Sequence, residues 1–97
     1  MANLTIVANI IVNADKIDFI RAELVKLVEK TLTEEGCINY NLHQDNKNPA
    51  HFMIYEKWQT RELWQAHGDT QHFADYVAAA ENSVSEFSVH EMTFIAG

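Results

Sequence analysis

The sequence predicts an α+β fold in the order β-α-β-β-α-β, the ferredoxin-like arrangement, with its second helix in two pieces. Three observations carry that expectation. Short segments of strand character occur four times, and two of them are separated only by the turn cluster Asp45-Asn46-Lys47-Asn48-Pro49. Stretches of helical period stand between the others. The second such stretch is interrupted at Gly68-Asp69.

Taken in order, Leu4 to Val12 is rich in β-branched residues, with polar breaks at Thr5 and Asn9, and reads as a strand buried on both faces. Asp15 is placed to cap a helix, with Asp18 three residues on as a capping-box-like acid. Ile17, Ile20, Leu24, Leu27, Val28 and Thr31 then recur at helical spacing and form one apolar stripe. Gly36 is placed to end that helix in the left-handed conformation. Cys37 to Gln44 alternates, with Ile38, Tyr40 and Leu42 on one face and Asn39, Asn41 and His43 on the other. After the turn, His51 to Gln59 pairs with it as a hairpin. Thr60 can cap a short helix over Arg61 to His67, and Thr70 can cap the next piece, whose apolar stripe is Phe73, Tyr76, Val77, Ala80 and Val84. Phe87 to Ile95 closes as the last strand.

Ninety-seven residues without a linker or repeat are expected to form one domain over 1–97. The formal charge of −7 argues against nucleic acid and anionic membrane surfaces as partners, since both need a positive field. The single Cys37 cannot form an intrachain disulfide. The apolar start lacks a basic n-region and is too short to span a bilayer, so a cytoplasmic protein is expected. Helices cover one face of such a sheet, and both parities of the first strand are apolar. The open face should therefore be covered by a second copy of the chain.

Five histidines are the candidate general bases: His43, His51, His67, His72 and His90. His51 sits beside the turn and is expected in solvent; His90 lies mid-strand and can point either way. His67 and His72 stand near helix ends, close in sequence to Trp58 and Trp64, either as capping or surface imidazoles or as pocket groups. No dedicated metal site is expected. The two histidines are five apart across a glycine break rather than i,i+4, and Cys37 has no soft-ligand neighbour. Cys37 also follows a helix end, where the dipole opposes a thiolate. Glu56 is the carboxylate expected to be partly buried, through pairing or as an acid–base group. Asn9, within an apolar strand, must face a partner, a water or a ligand, because an unsatisfied buried amide costs about 1–3 kcal/mol. Apolar walls with a few convergent polar groups suit a small aromatic ligand.

One run carries a resemblance: Glu35-Gly36-Cys37, Tyr40-Asn41-Leu42, Phe52, Tyr55-Glu56-Lys57-Trp58, Ala66-His67, Thr70 and His72-Phe73. It resembles the antibiotic biosynthesis monooxygenase family of small dimeric α+β barrels, although Gln71 replaces the proline common before its histidine. The resemblance implies a homodimer. It also implies a monooxygenase that works without a cofactor, oxidising a phenolic, quinol or polycyclic aromatic substrate with molecular oxygen. His67 or His72 would be the catalytic base. Asn9, His43, Phe52, Tyr55, Trp58, Trp64, Phe73 and Tyr76 would bind substrate. The haem-degrading branch is similar at Asn9, but its helix tryptophan falls at His67 and its iron-ligating histidine at Val77, so haem oxygenation is not expected. Relatives of this barrel also include isomerases, autoinducer-processing enzymes acting on small carbonyl compounds, and non-catalytic stress proteins. Oxygen uptake separates the first reading from these.

Overall fold

The computed structural model describes residues 3–97. Strand β1 (Leu4–Val12) leads into helix α1 (Ile17–Thr31), then strands β2 (Cys37–Gln44) and β3 (His51–Trp58). Helices α2 (Arg61–His67) and α3 (Gln71–Ala80) precede strand β4 (Val84–Met92). The strands form an antiparallel sheet in the order β2-β3-β1-β4. This is the expected α+β ferredoxin-like order, with the second helix split.

Because side chains alternate along a strand, the pairing register sorts them onto two faces. Ile6 stands opposite Glu56, Ala8 opposite Ile54 and Ile10 opposite Phe52. These residues meet Ile20, Leu24 and Leu27 of α1 and make the buried core, with Trp58, Tyr40, Val12 and Ala80. Thr5, Val7, Asn9 and Ile11 of β1 and His51, Met53 and Tyr55 of β3 fall on the helix-free face, where they are only half buried. The α1 stripe is as expected: Ile20, Leu24, Leu27 and Thr31 are buried, with Ile17 and Val28 partly so. Both threonine caps also form. Thr60 Oγ1 accepts from the Leu63 amide at 3.1 Å, and Thr70 Oγ1 from the Phe73 amide at 3.3 Å.

Several local expectations are corrected. Asp15 does not cap α1; the chain enters through a 3-10 turn, Ala14–Lys16, and Lys16 occupies the cap position without a side-chain bond. The anchor there is Asn13, whose Nδ2 donates to the Asn82 carbonyl at 3.0 Å and ties the turn to the start of β4. A bulge between Cys37 and Asn39 breaks the alternation of β2, so Tyr40 is buried while Ile38 is exposed. Val77 is exposed, and Val84 opens β4 instead of closing α3; β4 ends at Met92, short of the expected Ile95. Gly36 does hold a left-handed φ of +85°, but it lies beyond the end of α1 rather than capping it.

What Gly36 permits is a close approach. A Cβ built on it would lie 2.4 Å from Leu63 Cδ1 of α2, while its carbonyl accepts from the Gln59 amide at 2.8 Å. Gly36 thus brings the loop after α1 against the base of α2. Gly36→Ala is expected to destabilise the protein by on the order of 3 kcal/mol, combining backbone strain with overpacking. Urea unfolding measures this, and a change below half a kcal/mol would contradict the packing described.

Candidate active site

The loop after α1 delivers Glu34 to the two histidines. The carboxylate oxygen Oε2 of Glu34 accepts from His67 Nδ1 at 2.7 Å and from His72 Nε2 at 2.6 Å. His67 closes α2 and His72 lies in the first turn of α3, so one oxygen joins both pieces of the split helix to the far end of α1. With Nδ1 carrying the proton toward Glu34, His67 turns its Nε2 lone pair toward the Tyr40 hydroxyl, which approaches at 3.4 Å. The aromatic rings of Tyr40, Trp58 and Phe73 enclose the imidazole, with centroids 5.3, 5.2 and 5.1 Å away. His67 is only 4% exposed. Burial pulls its pKa below the ordinary histidine value, and the Glu34 carboxylate works against that fall. A neutral imidazole at neutral pH follows.

A cavity of about 1110 Å3 lies between the helix-side face of the sheet, β4 included, and helices α1, α2 and α3. Its walls are mostly apolar, among them Ile6, Ala8, Leu27 and Val89. Tyr40, Glu56, His67 and Tyr76 are among the polar residues that line it, with Gln65, Glu81 and Asn82. Burial raises the Tyr76 hydroxyl to about 12 and the Tyr40 hydroxyl further, so both are neutral donors. Glu56 is 4% exposed, and its Oε1 accepts from the Trp58 indole Nε1 at 2.9 Å. Burial is the main cause that lifts its carboxyl to about 7, with the Glu34 charge adding to it and the indole opposing.

Among the residues singled out from the sequence, His67, Trp64, Phe73 and Tyr76 line this cavity. His72 stands behind His67, reaching the site through Glu34. Trp58 is fully buried beneath His67 and holds Glu56. Phe52 and His43 border a separate groove of about 480 Å3 between α1 and β2. Asn9 and Tyr55 occupy the helix-free face and do not reach the cavity. Asn9 finds its partner within the chain: His51 Nε2 donates to Asn9 Oδ1 at 2.9 Å, while His51 Nδ1 meets Asp45 Oδ2 at 3.2 Å. His51 is thus bridged rather than free in solvent. The two residues are diagonal neighbours on one face of the β1–β3 pair.

Sequence reasoning missed Glu34 and the place of Tyr40. Glu34 is 33 residues from His67, and no local pattern announces the pairing. Tyr40 owes its inward position to the bulge. Spacing had also argued against a metal at the two histidines. Glu34, His67 and His72 nevertheless each offer one ligand atom, all within 4.8 Å of one another. A divalent ion there would replace the two protons that now bind both rings to Oε2. Burial raises Cys37 to about 11, with Glu34 and Glu56 adding to it, so the thiol is no nucleophile at neutral pH.

Comparison with known proteins agrees with this fold. The sequence model of the family described as antibiotic biosynthesis monooxygenase matches residues 3–79. Protein sll1783 of Synechocystis is 28% identical over 74 residues, which take in 76% of this chain and 50% of that longer protein. "Putative monooxygenase YcnE" of Bacillus subtilis is 30% identical over 78 residues, covering 80% of this chain and 82% of that protein. The crystal structure of PA3566 from Pseudomonas aeruginosa superposes with a TM-score of 0.94 at 26% identity, covering 99% of this chain and 97% of the other.

The buried carboxyl gives a prediction with a definite sign. A raised folded pKa contributes stability that is complete below the ordinary value of 4.5 and is lost as pH rises through about 7. The shift corresponds to about 3 kcal/mol. Glu56→Gln should therefore gain about that much relative to the unsubstituted protein between pH 4 and pH 9. Denaturant midpoints across this range test it, and parallel curves would show that Glu56 ionises freely.

Proposed function

Because the chain belongs to the antibiotic biosynthesis monooxygenase family, we propose that it is a cofactor-independent monooxygenase for a small phenolic, quinol or polycyclic aromatic substrate. The observation that carries this reading is the oriented imidazole of His67, held by Glu34 at the wall of a largely apolar cavity. His67 Nε2 takes the phenolic proton, and its neutral state at neutral pH suits a general base. The resulting anion gives one electron to oxygen, forming superoxide and a substrate radical. The two combine as a carbon–oxygen bond at a ring position that carries hydrogen. Loss of that hydrogen with cleavage of the oxygen–oxygen bond leaves a carbonyl on the substrate and releases one water. The substrate supplies all the electrons, so a quinol becomes a hydroxyquinone. In this reading the buried, neutral hydroxyls of Tyr40 and Tyr76, which border the cavity, donate to the anionic oxygen.

In this reading His72 positions Glu34 and does not meet the substrate. His67→Ala should lower turnover by about 10²–10⁴-fold, and His72→Ala by far less. Oxygen consumption by chelator-treated protein, with a panel of hydroquinones and dihydroxynaphthalenes, is the assay. No rate above autoxidation for any compound would remove the oxygenase reading, while equal loss in the two variants would remove the assignment of the base.

The active form is proposed to be a homodimer joined through the helix-free face, where Val7, Ile11, Met53 and Tyr55 remain half exposed. Sedimentation at micromolar concentration should give about twice the 11.1 kDa of one chain. A monomer under those conditions refutes the dimer.

A further inference from the structure

Glu56 has no part in the proton transfer just described, yet it is a buried carboxyl on the cavity wall without a cation. Trp58 lies two residues on along the same strand, hence on the same face, and its indole donates back to Oε1. Among the described residues the other oxygen, Oε2, has no hydrogen-bond partner and none of the salt bridges involves Glu56. A carboxyl whose acceptor oxygen is already used by an N–H, in an apolar wall, is arranged to be a donor through its other oxygen. Its neighbours across the sheet are Ile6 and Tyr40, and Tyr40 is the residue that reaches His67.

We propose that Glu56, in its protonated form, donates a hydrogen bond to a second oxygen of the substrate, so that the cavity selects aromatics bearing two ring oxygens over monophenols. This rests on the monooxygenase reading for the identity of the first oxygen, the one deprotonated at His67. The groups that act on or are acted on by Glu56 are Trp58 on its own strand, Tyr40 and Cys37 of β2 and Glu34 of the preceding loop, while His67 of α2 and Tyr76 of α3 line the same cavity. Beyond Ile6 on β4 stands Glu91, engaged with Arg61 at 2.6 Å. The two tyrosines and the cysteine titrate well above neutrality, His67 is pulled below its ordinary value, and burial brings Glu56 to about 7.

The test uses 1,4-naphthoquinone, which carries two oxygens, does not titrate and needs no oxygen chemistry to bind. Naphthalene serves as the oxygen-free control, and quenching of tryptophan fluorescence reports binding. Affinity of the unsubstituted protein for the quinone should fall about tenfold between pH 6 and pH 9 as the donor is lost, while that for naphthalene stays level. Glu56→Gln, which keeps a donor and cannot ionise, should bind the quinone equally at both pH values. Infrared spectra of protein labelled with 13C-glutamate should contain a protonated carboxyl band that disappears as pH passes about 7, independently of any variant. Absence of that band, quinone binding that is level in the unsubstituted protein or absent at all pH values, or an unchanged pH profile in Glu56→Gln would each overturn the proposal. If these results hold while no quinol consumes oxygen, the carboxyl's role survives and the monooxygenase reading fails.

Discussion

A single carboxylate oxygen organises the helical side of this protein. Glu34 Oε2 accepts from His67 and His72, which lie on opposite sides of the Gly68-Asp69 break. Hydrogen bonds to a charged group contribute more than neutral ones, about 1.5–3 kcal/mol each. Here two of them hold α2 and α3 at a fixed angle and anchor both to the end of α1. The same contact fixes the tautomer of His67, because a donor at Nδ1 leaves Nε2 as the acceptor. Gly36 is the other half of the constraint. Only a residue without Cβ lets the loop carrying Glu34 lie against Leu63, so the close approach and the orientation of the base have one structural origin.

The features legible in the sequence were those whose cause is local. The α1 stripe, the Asp45–Pro49 turn and the threonine caps each depend on neighbours within a few residues, and each formed. Asp15 shows where local reasoning stops. It had the chemistry of a cap, but Asn13 reached Asn82 on a distant turn, and the chain entered α1 through a 3-10 turn instead. Likewise Asn9 posed a sound question about a buried amide, and His51, 42 residues away, supplied the answer. Trp58, His67, His72 and Phe73, close in sequence, are also neighbours in space. The division of the aromatic residues between cavity wall, base enclosure and opposite sheet face depended on register, which a bulge in β2 and the β1–β3 pairing decide.

The sheet therefore divides two polar systems that the sequence interleaves. On the helix-free face, Asp45, His51 and Asn9 form a chain of hydrogen bonds at the start of β3. On the helix side, Glu34, His67 and Tyr40 form another beside the cavity. The alternation of β3 places His51, Met53 and Tyr55 with the first system and Phe52, Ile54, Glu56 and Trp58 with the second. A family signature written along the chain as Tyr55-Glu56-Lys57-Trp58 thus serves two surfaces at once. A one-residue slip would exchange them, removing Trp58 from beneath His67 and Glu56 from the cavity.

That double use explains why the costly residue in the signature is Glu56 and not its neighbours. Tyr55 and Lys57 lie outside the buried core, where neither is fully desolvated by the packing of one chain. Glu56 faces inward, with one N–H as its compensation, and a glutamine there would avoid the ionisation cost while keeping the indole contact. Packing of this wall does not call for an acid: the positions on either side along the same face are Ile54 and Trp58, and the residue across the β1 pair is Ile6. An acid adds a group able to change charge near neutral pH on the wall of the same cavity as the oriented imidazole. Stability alone accounts for Ile6, Ile54 and Trp58, whereas packing and hydrogen bonding do not require a carboxyl among them.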